Sequence, residues 1–345
     1  MKKFAVVLEP DDGIRFIKEH PVLKNMPESL AKKFLSFLSV KKAGTILDSA
    51  SSDNLGCLID VHALFANWGG LEERDRFKII QCIEKALNRM EIEVLCFPWI
   101  HQYLNDHEII YLKRKGIIVL DGFYHLLAGL LLVIDRLFNI LAMELPHFEI
   151  GIWGADNDVG QVWAEAVARR VNYLCIGGRD LRELHRLADA ILKTTGLSCQ
   201  ITDKPEVCLS KKNVTISTEP VEITFPRINP SFHFPVYVNR KCSNIKRDID
   251  ERCRQKKYII ELGWMTLPND VRISHKLNPW EELVVLDGLF YNISHVYRSE
   301  ILNNRITLEN IEKIHVLYDM YPIKLQGFIN QGRRVHFDRF RREYF

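Results

Sequence analysis

The chain lacks the cysteine and histidine patterns of metal sites and of disulfide-stapled domains. Its eight cysteines are scattered without a C-x-x-C pair, and none of its twelve histidines stands in an H-E-x-x-H spacing. The apolar stretch at the amino terminus is too short for a secretory signal, so a reducing cytoplasm is the expected compartment. These absences predict a cytoplasmic protein without a metal site.

Strong charge and long uninterrupted apolar runs are missing as well. The formal net charge is only +3 over 345 residues, which argues against nucleic acid as a main partner. The most apolar stretch, 123–145, contains Asp135 and Arg136, and its uncharged part is shorter than a bilayer requires. It predicts a buried helix between two domains and no transmembrane segment.

Residues 150–180 carry the most informative pattern. An apolar run ends at Gly154, a polar turn follows, and Gly160 opens a stretch in which apolar residues recur with helical spacing. A second apolar run, 171–176, ends at a pair of glycines. This order of strand, glycine turn, helix and strand predicts a dinucleotide-binding βαβ unit.

The residues of this unit have predicted roles at a cofactor. Gly154 allows a tight turn, Gly160 allows the helix to approach the sheet, and the free N–H groups at the helix start can receive a pyrophosphate. The middle glycine of the usual pattern is Asn157, which tolerates positive φ but carries a side chain where the backbone approaches phosphate. The predicted cofactor-binding residues lie in this turn and at the ends of the second and fourth strands of the domain: Gly154, Ala155, Asn157, Asp158, Val159, Gly160, Gly178, Arg179, Ser217 and Thr218.

Arg179 bears on which dinucleotide is bound. An acid at the end of the second strand is typical of NAD sites, whereas an arginine accommodates the 2′-phosphate of NADP. Arg179 therefore predicts NADP(H). The alternative is an exposed arginine that starts the next helix and pairs with Glu183.

Helical and strand-like segments alternate along the chain. This alternation predicts an α/β protein, in which a doubly wound parallel sheet of the Rossmann type follows a smaller α/β domain. The predicted parts are an N-terminal α/β substrate or interaction domain (1–122), a linking helix (123–146), the NAD(P)-binding Rossmann domain (147–282), C-terminal helices packing back between the domains (283–325) and a basic aromatic tail (326–345).

A set of short blocks is spread over most of the length. They are 56–59, 76–86, Gly154-Ala155 with 158–160, Gly178-Arg179, Gly263-Trp264 with 268–271, 288–291 and 305–314. In this order the chain resembles the shikimate-dehydrogenase-like family that contains the cyanobacterial-type long-chain acyl-(acyl carrier protein) reductases and bacterial predicted amino acid dehydrogenases. The resemblance implies a Rossmann fold and NADPH-dependent reduction of an acyl thioester to an aldehyde, or a related carbonyl chemistry, on a small-molecule or carrier-bound acyl substrate.

One departure from this family concerns the nucleophile. The reductases carry a cysteine a few residues after a glycine pair that corresponds to Leu262-Gly263, and this chain has no thiol in 264–268. Two hypotheses therefore stand. The first is an NADP(H)-dependent oxidoreductase, and the second is a catalytically inactive dinucleotide-binding sensor or assembly protein.

Two residues are candidates for catalysis. Cys242 follows a predicted strand and lies among Arg240, Lys241 and Lys246, a positive neighbourhood that favours the thiolate. Its alternative is a loop cysteine beside ordinary surface lysines. Tyr291 is the candidate proton donor, with a structural role as its alternative.

The carboxyl-terminal tail interleaves arginine with aromatic residues from Arg333 to Phe345. Such a mixture could dock on an acidic partner, an acyl carrier protein, nucleic acid or an anionic membrane surface. The alternative is a solvated, mobile terminus. A homo-oligomer is also compatible with the sequence as a whole.

Overall fold

A computed structural model describes residues 3–8, 25–27, 40–61, 68, 71–98, 100–141, 147–221, 232–236, 258–302 and 304–344. Most of the segment 14–38, whose sequence predicts a helical or irregular structure, lies outside these residues, as does Cys242. The chain divides into two compact units, Met1–Gly122 with Leu267–His295 and Phe123–Thr266 with Val296–Phe345.

The first unit is built on a six-stranded sheet. In chain order its strands are β1 (Lys3–Val7), β2 (Lys41–Asp48), β3 (Asn54–Asp60), β4 (Ile92–Cys96), β5 (Ile118–Leu120) and β12 (Val271–Ile273). Their spatial order is β12-β2-β3-β1-β4-β5; β3, β1, β4 and β5 are parallel, and β2 runs antiparallel to β3 and β12. Two short apolar runs, 45–47 and 56–60, are separated in the sequence by the turn-forming residues 49–54, and they lie in the antiparallel hairpin β2–β3.

The described part of this unit also contains helices. They are α1 (Glu73–Arg89), α2 (Ile100–Tyr103), α3 (Asp106–Arg114) and α8 (Pro279–Ile293). Ile80 and Ile83 on α1 are buried in one core cluster with Val7, Ile59 and Leu95 of the strands. The apolar spacing in 74–90 predicts this helix because residues three and four apart share one face.

Helix α8 belongs to the first unit, which differs from the predicted boundaries. Those boundaries divide the chain at 282 and group 283–325 as one set of helices, whereas 267–295 clusters with 1–122. Close packing accounts for this membership: a Cβ on Gly288 would lie 2.4 Å from the ring of Phe4 and 2.9 Å from Cys96 Sγ. A glycine is required where the helix lies this close to β1 and β4.

The second unit contains an eight-stranded sheet. Its strands are β6 (Glu149–Trp153), β7 (Tyr173–Gly177), β8 (Gln200–Thr202), β9 (Val214–Ser217), β10 (Phe232–Pro235), β11 (Tyr258–Met265), β13 (Leu325–Asn330) and β14 (Arg333–His336). Their order is β14-β13-β11-β10-β9-β6-β7-β8, with β6 to β11 all parallel and β13 and β14 added antiparallel at the β11 edge. Strands β6 to β11 thus follow the 3-2-1-4-5-6 order of a doubly wound dinucleotide-binding sheet, and the predicted fold class is confirmed.

The helices of this unit are α4 (Phe123–Leu141), α5 (Asp158–Ala168), α6 (Leu181–Thr195), α7 (Pro205–Leu209), α9 (Leu308–Met320) and α10 (Phe337–Tyr344). Helix α4 is long and apolar enough to cross a membrane, but 67% of its most apolar window is buried inside the fold. Gly129 of α4 lies against Gly263 of β11, where a Cβ on Gly263 would be 2.7 Å from the Gly129 carbonyl oxygen. Helix α4 therefore packs as a core helix.

The carboxyl-terminal tail is folded onto the second unit. Strands β13 and β14 form a hairpin whose turn, Gln331-Gly332, has φ of 50° and 74°, as two-residue hairpin turns require. Phe337 and Phe340 of α10 are buried, whereas Arg341 and Arg342 are exposed. A mobile terminus is thus the wrong alternative, because the phenylalanines fill the core while the arginines stay in solvent.

Candidate functional site

The candidate site lies at the carboxyl ends of β6 and β9. These strands are neighbours, and the chain continues from β6 to β7 on one side and reaches β9 on the other. Ligands of doubly wound sheets bind at such a switch point, outside the carboxyl ends of the strands. We therefore call this region the corner. It consists of the turn after β6 (154–160), the residues at the end of β7 (177–180) and those at the end of β9 (217–219).

Gly154 and Gly160 occupy positions that exclude a side chain. Gly154 has φ of +82°, and a Cβ on it would lie 2.1 Å from the Thr218 hydroxyl oxygen. A Cβ on Gly160 would lie 2.1 Å from the carbonyl oxygen of Gly154, so the first turn of α5 touches the end of β6 directly. This close approach is the structural role of the first and last glycines in a dinucleotide-binding turn.

Asn157 caps helix α5. Its backbone is extended (φ −101°, ψ 165°), so the tolerance for positive φ expected from the sequence is not used. The side-chain oxygen accepts the N–H of Gly160 at 3.0 Å, and the side-chain nitrogen donates to the Thr218 hydroxyl at 2.8 Å. Asn157 is therefore an N-cap residue that ties the helix to the end of β9.

The start of α5 keeps two backbone donors for a ligand. Within the described ranges, the N–H groups of Asp158 and Val159 have no hydrogen-bond acceptor, whereas the Gly160 N–H is held by Asn157. Unpaired N–H groups at a helix start favour phosphate oxygens, and the helix dipole adds to this preference. The corner thus fits a pyrophosphate with two donors.

Three further predicted cofactor-binding residues are buried at the corner, namely Ala155, Ser217 and Thr218. Ala155 is fully buried and its N–H donates to the Gly177 carbonyl at 2.9 Å. Thr218 is buried, and its hydroxyl lies 3.0 Å from the Gly154 carbonyl, to which it donates. The Ser217 hydroxyl is enclosed and has no hydrogen-bond partner among the described residues. The Thr218 side chain therefore supports the turn, and Ala155 is held through its backbone.

Asp156 joins the two loops of the corner, and sequence reasoning missed it. Its Oδ2 accepts the backbone N–H groups of Arg179 at 2.8 Å and Asp180 at 2.9 Å. A Cβ on Gly178 would lie 2.2 Å from Asp156 Oδ1, so Gly178 leaves the space that this carboxylate takes. No local pattern reveals this contact, because the partners are separated by 23 and 24 residues.

Arg179 extends from the corner into solvent. Its side chain is 82% exposed, and Nε lies 3.6 Å from Glu219 Oε2 at the end of β9. The alternative predicted partner, Glu183, instead forms an ion pair with Arg186. Arg179 therefore bridges the ends of β7 and β9 above the glycine turn, and it does not pair within its own helix.

Arg305 is a second arginine at the corner. It precedes helix α9, and its guanidinium forms an ion pair with Asp158, the first residue of α5. This hydrogen bond raises the pKa of the Arg305 guanidinium above its usual value. The sequence contains Arg305 in one of the blocks that resemble the reductase family, but its place beside α5 is visible only in the folded chain.

The described part of the chain does not bring the two predicted catalytic residues together in one site. Cys242 lies outside them. Tyr291 is half-buried near the end of α8 in the first unit. Both assignments stay predictions.

Of the six cysteines in the described part of the chain, all but Cys82 are buried or half-buried. Burial raises the pKa of Cys57, Cys96 and Cys199 above the usual value of a thiol. A hydrogen bond with Cys208 lowers the pKa of Cys175, but Cys175 is only 1% exposed. A nucleophilic cysteine needs both the thiolate form and access to the substrate, and Cys175 has no such access.

No protein-family model and no curated protein matches the chain. Among solved structures it is similar to L-tryptophan dehydrogenase from Nostoc punctiforme, with 9% identity and a TM-score of 0.40 over 93% of this chain and 80% of that chain. Quinate dehydrogenase from Corynebacterium glutamicum, in complex with NAD, gives 11% identity and a TM-score of 0.27 over 68% and 79% of the two chains. The A chain of dipicolinate synthase from Bacillus subtilis gives 11% identity and a TM-score of 0.30 over 46% of this chain, which spans only 54% of that protein's length. Likeness at this level concerns the fold alone.

Proposed function

We propose that the protein is an oxidoreductase that binds a nicotinamide dinucleotide at the corner and acts on a carbonyl substrate. The observation that carries the proposal is the switch point itself, where Gly154 and Gly160 leave no room for a Cβ and the N–H groups of Asp158 and Val159 remain available. The N–H groups of Asp158 and Val159 would hold a pyrophosphate at this position, and the positive end of the α5 dipole would favour its charge.

A bound nicotinamide dinucleotide would supply hydride transfer, giving a hydride to a carbonyl carbon in reduction or taking one from the corresponding alcohol carbon in oxidation. The contribution of the chain at the corner is binding and orientation. Asn157 and Thr218 hold the start of α5 against β9, and Asp156 holds the β7 loop beside it. These contacts fix the phosphate donors before the cofactor arrives, which reduces the entropy lost on binding.

The substrate class comes from the sequence resemblance, which indicates an acyl thioester, an aldehyde or a related carbonyl compound. The segment after Gly263 supports the carbonyl compounds over the thioester. Trp264 stands there in place of a thiol, with the Arg334 guanidinium 4.8 Å from its ring centre and the His336 ring at 4.6 Å. Direct hydride transfer to a carbonyl requires no enzyme-bound thioester, so the lack of a thiol in 264–268 does not prevent it.

A pair of variants at Asp158 tests the phosphate site. Asp158→Pro removes the backbone donor and is compatible with the first helical position, because Asn157 before it is already extended. Asp158→Ala keeps the donor and removes the same carboxylate. We expect the proline variant to bind NADH and NADPH about tenfold more weakly than the alanine variant, since a charge-assisted hydrogen bond contributes about 1.5–3 kcal/mol.

Calorimetric titration of the full chain with each nucleotide measures this difference. Turnover is followed by nicotinamide absorbance with panels of aldehydes, 2-oxo acids and acyl thioesters. Equal affinities of the two Asp158 variants, or no binding of either nucleotide to the unaltered protein, would contradict the proposed site. Tight binding without oxidation or reduction across the panels would leave the site in place and contradict the oxidoreductase activity.

A further inference from the structure

We infer that the corner selects NAD(H) over NADP(H), and that Asp156 is the residue that determines this selection. The inference rests on the proposed function, because it concerns the adenosine side of the same dinucleotide site. It also reverses the preference that Arg179 predicts from the sequence alone.

The Asp156 carboxylate lies beside the end of β7. In doubly wound sheets, the acid that recognises the ribose of NAD stands at the end of the second strand. The second strand of this sheet, β7, ends at Gly177 and is followed by Gly178, which has no side chain. The carboxylate beside this strand end comes instead from Asp156, whose Oδ2 binds the N–H groups of Arg179 and Asp180 at 2.8 and 2.9 Å.

The two oxygens of this carboxylate differ in their surroundings. Its Oδ1 is enclosed and accepts no hydrogen bond from the described part of the chain. The Gly178 position lies against it, since a Cβ there would be 2.4 Å from Asp156 Cγ. The negative charge of Asp156 therefore lies beside the position expected for the adenosine of the dinucleotide, and only one of its two carboxylate oxygens accepts hydrogen bonds. It acts on a ligand through its field, because an enclosed oxygen is not open to a direct hydrogen bond.

Both arginines at the corner already have a carboxylate partner. Arg179 lies 3.6 Å from Glu219, and Arg305 is paired with Asp158. The loops of the corner and their ion-pair partners contain four carboxylates and two guanidinium groups, namely Asp156, Asp158, Asp180 and Glu219 against Arg179 and Arg305.

An additional phosphate monoester brings a charge of roughly −1.5 to −2 to this corner. Like charges several ångströms apart at a protein surface disfavour binding by roughly a factor of ten. NAD has no group at the 2′ position beyond a neutral hydroxyl, so its binding avoids this repulsion. The excess of carboxylates over guanidinium groups thus favours NAD(H).

The test compares dissociation constants for NADH and NADPH by calorimetry on the full chain. The unaltered protein is expected to bind NADH at least tenfold more tightly. In Asp156→Asn the side-chain oxygen still accepts the N–H groups of the β7 loop while the charge is lost, so the preference for NADH is expected to shrink about tenfold. Asp189→Asn removes an exposed carboxylate two turns further along α6 and should leave the ratio unchanged.

A second variant keeps the test decisive if Asp156→Asn does not fold. Arg179→Gln is expected to change the affinity for NADPH less than threefold, because the Arg179 guanidinium lies near the Glu219 carboxylate, at 3.6 Å, and extends into solvent. A loss of tenfold or more in NADPH affinity would show that Arg179 receives the 2′-phosphate and would overturn the inference. Raising the salt concentration should also narrow the NADH preference of the unaltered protein, since salt screens exposed charges.

The failure of the inference and that of the proposed function are distinguishable. Preference of the unaltered protein for NADPH, or an unchanged ratio in Asp156→Asn, overturns the inference and leaves the dinucleotide site standing. Absence of binding of either nucleotide overturns both.

Discussion

Protonation of His125 should destabilise the second unit in mild acid. His125 on α4 is fully buried, its Nδ1 lies 2.8 Å from the Tyr318 hydroxyl, and its ring stacks on those of Tyr297 and Tyr318 at 5.2 and 5.7 Å. Burial lowers its pKa from 6.5 to about 3, because the charged imidazolium loses its hydration there. The neutral ring is therefore the form that the folded protein holds.

The sign of the pH dependence follows from the two pKa values. The unfolded chain binds the proton with a pKa near 6.5 and the folded chain with a pKa of about 3, so stability is full above pH 6.5 and is lost as the pH falls toward 3. One pKa unit corresponds to about 1.4 kcal/mol, so the loss from this histidine between pH 8 and pH 5 is about 2 kcal/mol. His315, whose pKa is also lowered by burial, contributes in the same direction.

The assay is urea unfolding at pH 8 and pH 5, with Trp153 and Trp163 reporting on the second unit. The change in unfolding free energy between the two pH values should be about 2 kcal/mol smaller in His125→Phe than in the unaltered protein. This double difference cancels the packing cost of the substitution, which is the same at both pH values. His107→Gln, at an exposed histidine of α3, is the control and should keep the full loss. Equal losses in His125→Phe and the unaltered protein would refute the assignment.

Two further predictions concern packing in the second unit. Gly160→Ala should destabilise the protein by about 2–4 kcal/mol, because its Cβ would lie 2.1 Å from the backbone of Gly154 and neither chain segment can move freely. Gly116→Ala, in open space at φ +83°, is its control and should cost only about 1 kcal/mol of backbone strain; thermal unfolding that ranks the two in the opposite order would contradict this account. Phe340→Ala should cost about 3–5 kcal/mol since the ring is fully buried, whereas Arg342→Ala should stay within about 0.5 kcal/mol in the same measurement. Comparable losses in these last two variants would mean that α10 does not pack as described.

Much of the second unit could be predicted from local pattern. The apolar spacing in 181–195, followed by a glycine, predicts helix α6, in which Leu184, Leu187 and Ile191 are buried and Gly196 is the left-handed cap at φ +77°. The glycine turn after β6 was also predictable, because Gly154 adopts a positive φ in a tight turn and Gly160 lies against Gly154 only six residues earlier. Local periodicity and local backbone conformation suffice for such elements.

The hairpin at the carboxyl terminus shows where this reasoning fails. The alternation of arginine and aromatic residues resembles a solvated tail, whereas the positive φ angles of Gln331 and Gly332 belong to a hairpin turn. Phe340 packs against Phe232, Tyr258 and Phe328 with ring centres 5.1–5.9 Å apart. Only the presence of these distant strands makes the short helix α10 stable, since eight residues do not form a stable helix alone.

The βαβ unit around Gly154 and Gly160 and the periodic helices on either side can be read from local pattern, because those features depend mainly on neighbours along the chain. The tertiary structure alone decided the chemistry of the corner. Asp156 meets the N–H groups of 179 and 180, and Arg305 meets Asp158 across 147 residues. Charges brought together from such distances leave no periodic trace in the sequence, so the electrostatic character of the site emerges only when the sheet and its loops are assembled.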